Sequence, residues 1–388
     1  MEFEYWWLLV LPLFFVLGWF AARIDLRQLL SESRSVPARY FQGLKLLANR
    51  EPEQAIQALE AVVKENPHSG DLYFALGILF RQRGELEKAI RMHQALLDRH
   101  ELAEHERLEA RFELAVDYQK MGLFDRAEQQ FNHLRETTLE KKALAALLDV
   151  YQQQRNWAKA IDMAVELAEA SAAQQHEVAQ FYCELAQREL NHSRPIEAED
   201  YLRQALSVHQ RCVRASMLRG EIAAAQRRWG DAISAWLAIE QQAVDYLPLV
   251  AQRLFEAFVE EGRAEEGRAY LVGVLQSHPA LDMLETVLRA IRTVDGEAAV
   301  TDFLHRRVIE HPEPLAMERL LEARLVAVNE PLHGELLSVR THLQAAYRRN
   351  GHYHCRSCGF RAMNHHWHCP ACQGWETFNP YRGTDVPH

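Results

Sequence analysis

The sequence is short of the residues that interrupt helices. It holds 13 prolines and 17 glycines in 388 residues, too few for long disordered linkers. Between residues 38 and 312 it lacks the apolar–polar alternation of strands, which excludes a sandwich or barrel there. It also lacks basic excess: 44 Lys and Arg stand against 54 Asp and Glu, a formal charge of −10. That excludes a general nucleic-acid binder, which needs a basic face to neutralise phosphates. No glycine-rich phosphate loop and no nucleophile–base arrangement stand out, so nothing points to an enzyme. The segment HELAEH, His100 to His105, imitates a zinc-protease helix, but its histidines are five apart. Two histidines on one helical face need a spacing of four, so the segment reads as a linker.

Long hydrophobic runs are absent but for one. Tyr5 to Ala22 is 18 residues without a charge. As a helix it would span roughly 27 Å, enough for a thin hydrocarbon core. Trp6, Trp7 and Trp19 lie near its ends, where indoles favour the headgroup zone. A signal peptide wants a basic start and a small-residue cleavage site. Here Glu2 and Glu4 precede the run, and Arg23, Arg27, Arg34 and Arg39 follow it. We expect an uncleaved single-pass transmembrane helix over 1–22 and a juxtamembrane linker over 23–35. The charge asymmetry puts the bulk of the chain on the cytoplasmic side.

What the middle does have is a long period. Apolar residues recur at three and four, the period of an amphipathic helix. Above this, Tyr73, Leu76, Gly77, Phe80, Gly84 and Ala89 fall at the offsets of a tetratricopeptide repeat. Leu114, Ala115, Tyr118, Gly122, Ala127 and Phe131 repeat them. A small residue opening the second helix recurs at Ala55, Ala89, Ala127, Ala160, Ala198, Ala232 and Gly267, at intervals of 34, 38, 33, 38, 34 and 35. Pro67, Pro279 and Pro312 stand where a proline commonly ends a repeat. One helix pair cannot bury its own apolar face, so pairs stack. The expected fold is all-α: a right-handed superhelix of about seven to eight tetratricopeptide repeats over 36–312, with closing helices over 313–350. By resemblance to the repeat, a partner groove on the first helices is lined by Phe74, Arg81, Phe112, Lys120, Gln152, Gln187, Asn191 and Arg214. Cys183 and Cys212 fall inside the repeats and read as buried, reduced packing residues.

The remaining four of the six cysteines are concentrated at the end of the chain, in two Cys-x-x-Cys pairs: Cys355 and Cys358, then Cys369 and Cys372. A Cys-x-x-Cys turn aims two sulfurs at one point. Gly359 readily takes the positive φ of such a knuckle, and Pro370 pre-sets the second turn. Two knuckles joined by a short hairpin give a tetrahedral four-cysteine site for one metal ion, iron or zinc, in a module over 351–388. Four thiolates close a tetrahedron, which leaves His352, His354, His365, His366 and His368 as surface or packing residues. A module this small needs the metal for its folding energy. Phe360, Trp367, Trp375 and Phe378 exceed what its interior needs, so some of them are expected to pack on the preceding helices, 315–349.

Anchor, repeats and a C-terminal CRSCGF…WHCPACQGW module, in this order over the whole chain, resemble the lipopolysaccharide assembly protein B family of Gram-negative bacteria, whose terminal module is rubredoxin-like. The resemblance implies a non-enzymatic regulatory adaptor at the cell inner membrane. Its implied partners are a membrane-bound AAA+ metalloprotease, the lipid A-committing deacetylase that this protease degrades, a lipopolysaccharide-sensing inner-membrane regulator and other lipopolysaccharide assembly proteins. No nucleic acid is implied, and a homodimer is compatible with it. It also implies that Cys355, Cys358, Cys369 and Cys372 are the metal ligands and that the module docks on the repeats. The gap between the pairs is shorter than in a true rubredoxin, and Gln373 stands where glycine is usual after the second pair. Both departures favour a structural site. The alternative is a redox- or metal-sensing tethered scaffold with another partner.

Overall fold

The computed structural model describes residues 45–46, 52–65, 70–100, 102–167, 172–325, 332–349 and 353–380. The apolar run Tyr5–Ala22, and with it the expected anchor and juxtamembrane linker, lies outside them. Among the described residues no helix is long and apolar enough to cross a membrane.

The chain forms two compact units, Met1–Asn156 and Trp157–His388. The first holds helices Pro52–Glu65, Gly70–Gln82, Leu86–Leu97, Glu104–Lys120, Phe124–Asn132 and Glu140–Gln153. The second opens with Trp157–Leu167. Antiparallel pairs follow: Ala172–Asn191 with Pro195–Val208, Val213–Ala225 with Trp229–Ala243, Ala251–Glu260 with Ala264–Ser277, and Leu284–Asp295 with Glu297–Glu310. A 3₁₀ turn, Val244–Leu249, enters between the second and third pairs. Helices Pro314–Leu325 and Leu332–Arg349 then lead to a two-stranded hairpin.

The small residues read from the sequence sit where helices touch. Ala55, Ala89, Ala127, Ala160, Ala198 and Ala232 are wholly buried. At Gly267 a Cβ would lie 2.7 Å from the Cβ of Phe258. A reciprocal small position lies on some first helices. A Cβ at Gly77 would fall 2.3 Å from the His93 ring, and one at Gly220 2.2 Å from the Trp236 ring. Close backbone approach therefore depends on missing side chains from both directions.

The turns inside the pairs share one device. Gly84, Gly122, Arg155, Ser193, Arg227 and Gly262 all adopt positive φ. Each amide bonds a carbonyl three residues back, and the next amide one five residues back, as in Arg227 N to Ala224 O and Arg228 N to Ala223 O. This closes the ends of the first helices in the Schellman manner. Half of these turns use a residue other than glycine and carry the cost of it.

The first helices are also tied side to side by ion pairs. Within the second unit Arg214 meets Glu184 at 2.8 Å and Arg319 meets Glu285 at 2.6 Å, and Arg253 pairs with Glu221. Within the first, Arg81 pairs with Glu113 and holds the buried Asp117 at 2.9 Å, and Asp117 also meets His93 at 2.5 Å.

Candidate metal centre and its seat on the repeats

The terminal module is built as two matching knuckles. In the first, Gly359 N donates to Cys355 O at 2.9 Å and Cys355 N to Phe360 O at 2.8 Å. In the second, Gln373 N donates to Cys369 O and Cys369 N to Gly374 O, both at 2.9 Å. The residue after each second cysteine has positive φ, 75° at Gly359 and 60° at Gln373. The glycine fits this at no steric cost, whereas Gln373 takes it under strain. Strands Tyr353–His354 and Arg361–Ala362 pair antiparallel, Tyr353 opposite Ala362 and His354 opposite Arg361.

The four sulfurs lie within 4.8 Å of one another. Cys355 and Cys372 are 3.7 Å apart, as are Cys358 and Cys369. A tetrahedral ion with metal–sulfur bonds of about 2.3 Å needs sulfur–sulfur edges of about 3.8 Å, so the donor set fits one such ion. The shifts in the first knuckle run in opposite directions. The Phe360 amide lowers the Cys358 pKa, but desolvation and hydrogen bonds to the other cysteines push that thiol up to about 12. Burial alone would raise the Cys355 pKa, but Thr377 Oγ1 and the amides of Cys358 and Ser357 bring it down to about 6. Phe378 is fully buried against the Cys355 and Cys369 side of the module. His365 and His368 pack rather than ligate: His365 lies edge-on to Trp367 at 4.8 Å, and His368 stacks on Trp375 at 4.3 Å. Burial pushes the His365 pKa down to about 4.

The module rests on the repeats through aromatic contacts at two places and a polar clasp. Trp375 meets Trp157 and Phe181 edge-on, each at 5.8 Å, while those two rings stack on each other at 5.6 Å. Trp367 stacks on Tyr246 at 5.3 Å and 10°. Between them the Glu376 carboxylate takes His176 Nε2 at 2.7 Å and the Nε2 of the fully buried Gln180 at 2.5 Å. That bond to Glu376 raises the His176 pKa above its ordinary 6.5. Glu376 itself is held at φ 49°.

Trp367 and Trp375 were expected on 315–349, and Trp367 does pack against the core cluster that contains Leu315 and Ala316. Their ring partners lie earlier in the repeats, in Trp157, Phe181 and Tyr246. Phe378 stays inside the module, and Phe360 is exposed. The physical reason is that aromatic surface large enough to receive two indoles gathers where the helices beginning at Trp157 and Ala172 and the 3₁₀ turn offer their rings. The implied docking on the repeats holds. Sequence reasoning missed His176, Gln180, Tyr246 and Glu376 altogether. The only signal was a surplus of aromatics in the module.

The expected groove residues take varied positions. Phe74 lies edge-on to His93 at 5.8 Å, and Phe112 to Phe131 at 5.5 Å. Arg81 is engaged with Glu113 and Asp117. Arg214 is buried and reaches Glu184 and, at 3.5 Å, Gln180 Oε1. Gln187 bonds Asn191 at 3.3 Å. Lys120 and Asn191 are exposed, and Gln152 and Gln187 half-buried.

Comparison with known proteins accords with this geometry. Residues 353–380 match the rubredoxin metal binding domain family, and residues 41–103 and 183–248 match the tetratricopeptide repeat family. Lipopolysaccharide assembly protein B of Escherichia coli K12 is 30% identical over 97% of this chain and 98% of its own. Its Haemophilus influenzae counterpart is 26% identical over 96% of this chain and 97% of its own. Among solved structures, Naa15/Naa10 bound to HypK-THB aligns over 80% of this chain and 47% of that one, at TM-score 0.43 and 14% identity, too distant to carry an argument. With identity sustained over nearly the full length, repeats in the middle and a four-cysteine module at the end, this chain belongs to the lipopolysaccharide assembly protein B family.

Proposed function

We propose that this chain is a non-catalytic adaptor of the cell inner membrane that limits lipopolysaccharide synthesis. It presents the lipid A-committing deacetylase to a membrane-bound AAA+ metalloprotease and gathers other lipopolysaccharide assembly proteins. A lipopolysaccharide-sensing inner-membrane regulator opposes it. The observation that supports this most is the joining of a repeat scaffold to a closed metal module. Four thiolates leave an ion no open position for substrate, so the module serves as a structural piece and the repeats do the binding.

The partner-facing positions are proposed on the first helices: Phe74, Arg81, Phe112, Lys120 and Gln152 in the first unit, and Gln187 and Asn191 in the second; Arg214, expected among them, is buried against Glu184 and Gln180 and is not partner-facing. Cys355, Cys358, Cys369 and Cys372 hold one ion, zinc or iron, in a structural role. The 1–22 segment anchors the chain once, with the bulk on the cytoplasmic side. Such tethering confines the repeats to a thin layer beside the bilayer and raises their effective concentration toward membrane-bound partners.

The test is the in-cell half-life of the deacetylase with this chain present, depleted, or carrying Cys355→Ser and Cys358→Ser together. The adaptor reading expects depletion to lengthen the half-life and the double variant to behave like depletion. An unchanged half-life on depletion refutes it.

A further inference from the structure

Directly beneath the seat lies a second pair of cysteines that the metal centre does not use. Cys183, on helix Ala172–Asn191, and Cys212, at the N-cap of helix Val213–Ala225, are 29 residues apart in sequence, yet their sulfurs are 3.8 Å apart. Both are wholly buried.

Their surroundings differ in kind. Cys183 lies among Ala179, Ala186, Ala198 and Leu202, and burial pushes its pKa well up. Cys212 sits at a helix N-terminus, where peptide dipoles favour an anion. The neighbouring Cys183 thiol and the nearby Ala215 amide lower its pKa against the effect of burial. Gln180 Nε2 lies 3.7 Å from the same sulfur, and the Arg214 guanidinium bonds the other end of that amide. A thiol at a helix start, beside a guanidinium and a second thiol, is the environment of a reactive cysteine with a resolving partner. What it lacks in the docked state is access.

Gln180 connects this pair to the terminal module. Its Nε2 faces Cys212 on one side and Glu376 of the module on the other. We propose that Cys183 and Cys212 are a redox dithiol, shielded while the terminal module is docked and oxidised to a disulfide by hydroperoxide when the module lifts.

The chemistry is closed with hydrogen peroxide as oxidant. The Cys212 thiolate attacks one peroxide oxygen and the O–O bond breaks. Hydroxide leaves and is protonated to water, leaving Cys212 as the sulfenic acid. The Cys183 sulfur then attacks the Cys212 sulfur and the S–O bond breaks. The departing hydroxide takes the Cys183 proton as a second water. Two electrons pass from the thiols to the peroxide, and one S–S bond forms. The sulfurs must close from 3.8 Å to about 2.05 Å. That draws Cys212 toward helix Ala172–Asn191 and removes the thiol beside Gln180, so the disulfide alters the seat from which the module departed.

The test uses the full-length, metal-loaded chain and its Trp375→Ala/Glu376→Ala double variant, in which the clasp and one aromatic contact are gone. Each is exposed to hydrogen peroxide, alkylated and digested, and mass spectrometry follows the peptides joined through Cys183 and Cys212. Helicity by circular dichroism confirms that the repeats stay folded. Chelator treatment of the native chain reaches the lifted state by a second route. The joined peptides should form at least about tenfold faster in the variant and in the stripped chain than in the native chain. In Cys183→Ser with the module lifted, Cys212 should stop at a sulfenic acid trapped by dimedone. The proposal is overturned if both thiols remain fully alkylatable after the four terminal cysteines have been oxidised. Equal rates in the docked and lifted chains overturn it as well.

Discussion

Replacing Trp375 by alanine should separate docking from metal binding. Trp375 is 9% exposed. It touches two rings of the repeats, Trp157 and Phe181, and one ring of its own module, His368. Truncating a buried tryptophan costs about 3–5 kcal/mol, including about 0.5–1.5 kcal/mol for each edge-on aromatic pair. Two of the three rings belong to the seat, so we assign about 2 kcal/mol to docking. That enlarges the lifted population about thirtyfold at 1.4 kcal/mol per decade. The knuckles keep their backbone bonds, so one metal ion per chain should remain. Hydroxyl-radical labelling of Phe181, which is fully buried in the native chain, reads the lifted population directly. Labelling should rise by at least about tenfold, with metal content unchanged. Labelling within about twofold of native, with the indole gone, would refute the claim that this contact holds the module down.

Other outcomes follow from the same geometry. The His176 pKa is raised by Glu376, so the protonated ring favours docking. That contribution is complete below 6.5 and is lost as pH rises through the higher docked value. Glu177 and the Cys212 sulfur act on the ring in the same direction as Glu376, and the neighbouring His209 pKa is lowered by burial and by His176 itself. Phe181 labelling should therefore grow as pH rises above 6.5, and His176→Gln should flatten that profile. Gly359→Ala forces a side chain into φ 75° and should weaken metal binding by roughly tenfold, for about 1–2 kcal/mol of strain. Gln373→Gly should strengthen it by about fivefold; competition with a chromogenic chelator measures both. Arg227→Gly relieves φ 59° in a repeat turn and should raise the melting temperature of the repeats by about 2 °C. Deleting residues 1–22 should abolish control of the deacetylase while helicity is retained; full control by the shortened chain at native abundance would contradict the tether.

The repeats were legible because their physics is local and periodic. Ala89, Ala127, Ala160, Ala198 and Ala232 recur at one-repeat intervals, and each is wholly buried. The same holds for the knuckles, where two residues between cysteines suffice to aim two sulfurs. Arg155, Ser193 and Arg227 escaped notice because they fill a left-handed turn position that glycine advertises at Gly84 and Gly122. The seat was illegible for a different reason. Glu376 meets residues 196 and 200 positions earlier in the chain, and no period links His176, Gln180 and Tyr246 to the module. Cys183 and Cys212 looked like isolated packing residues because only the pairing of two helices brings their sulfurs together.

On the proposed function, the repeats act on the deacetylase only with the metal module seated. The most direct measurement is the deacetylase half-life in cells whose sole copy of this chain carries Trp375→Ala and Glu376→Ala, at native abundance and with metal bound. The half-life should lengthen toward that of depleted cells. A half-life equal to that of native cells would show that docking is dispensable and would contradict the proposed function.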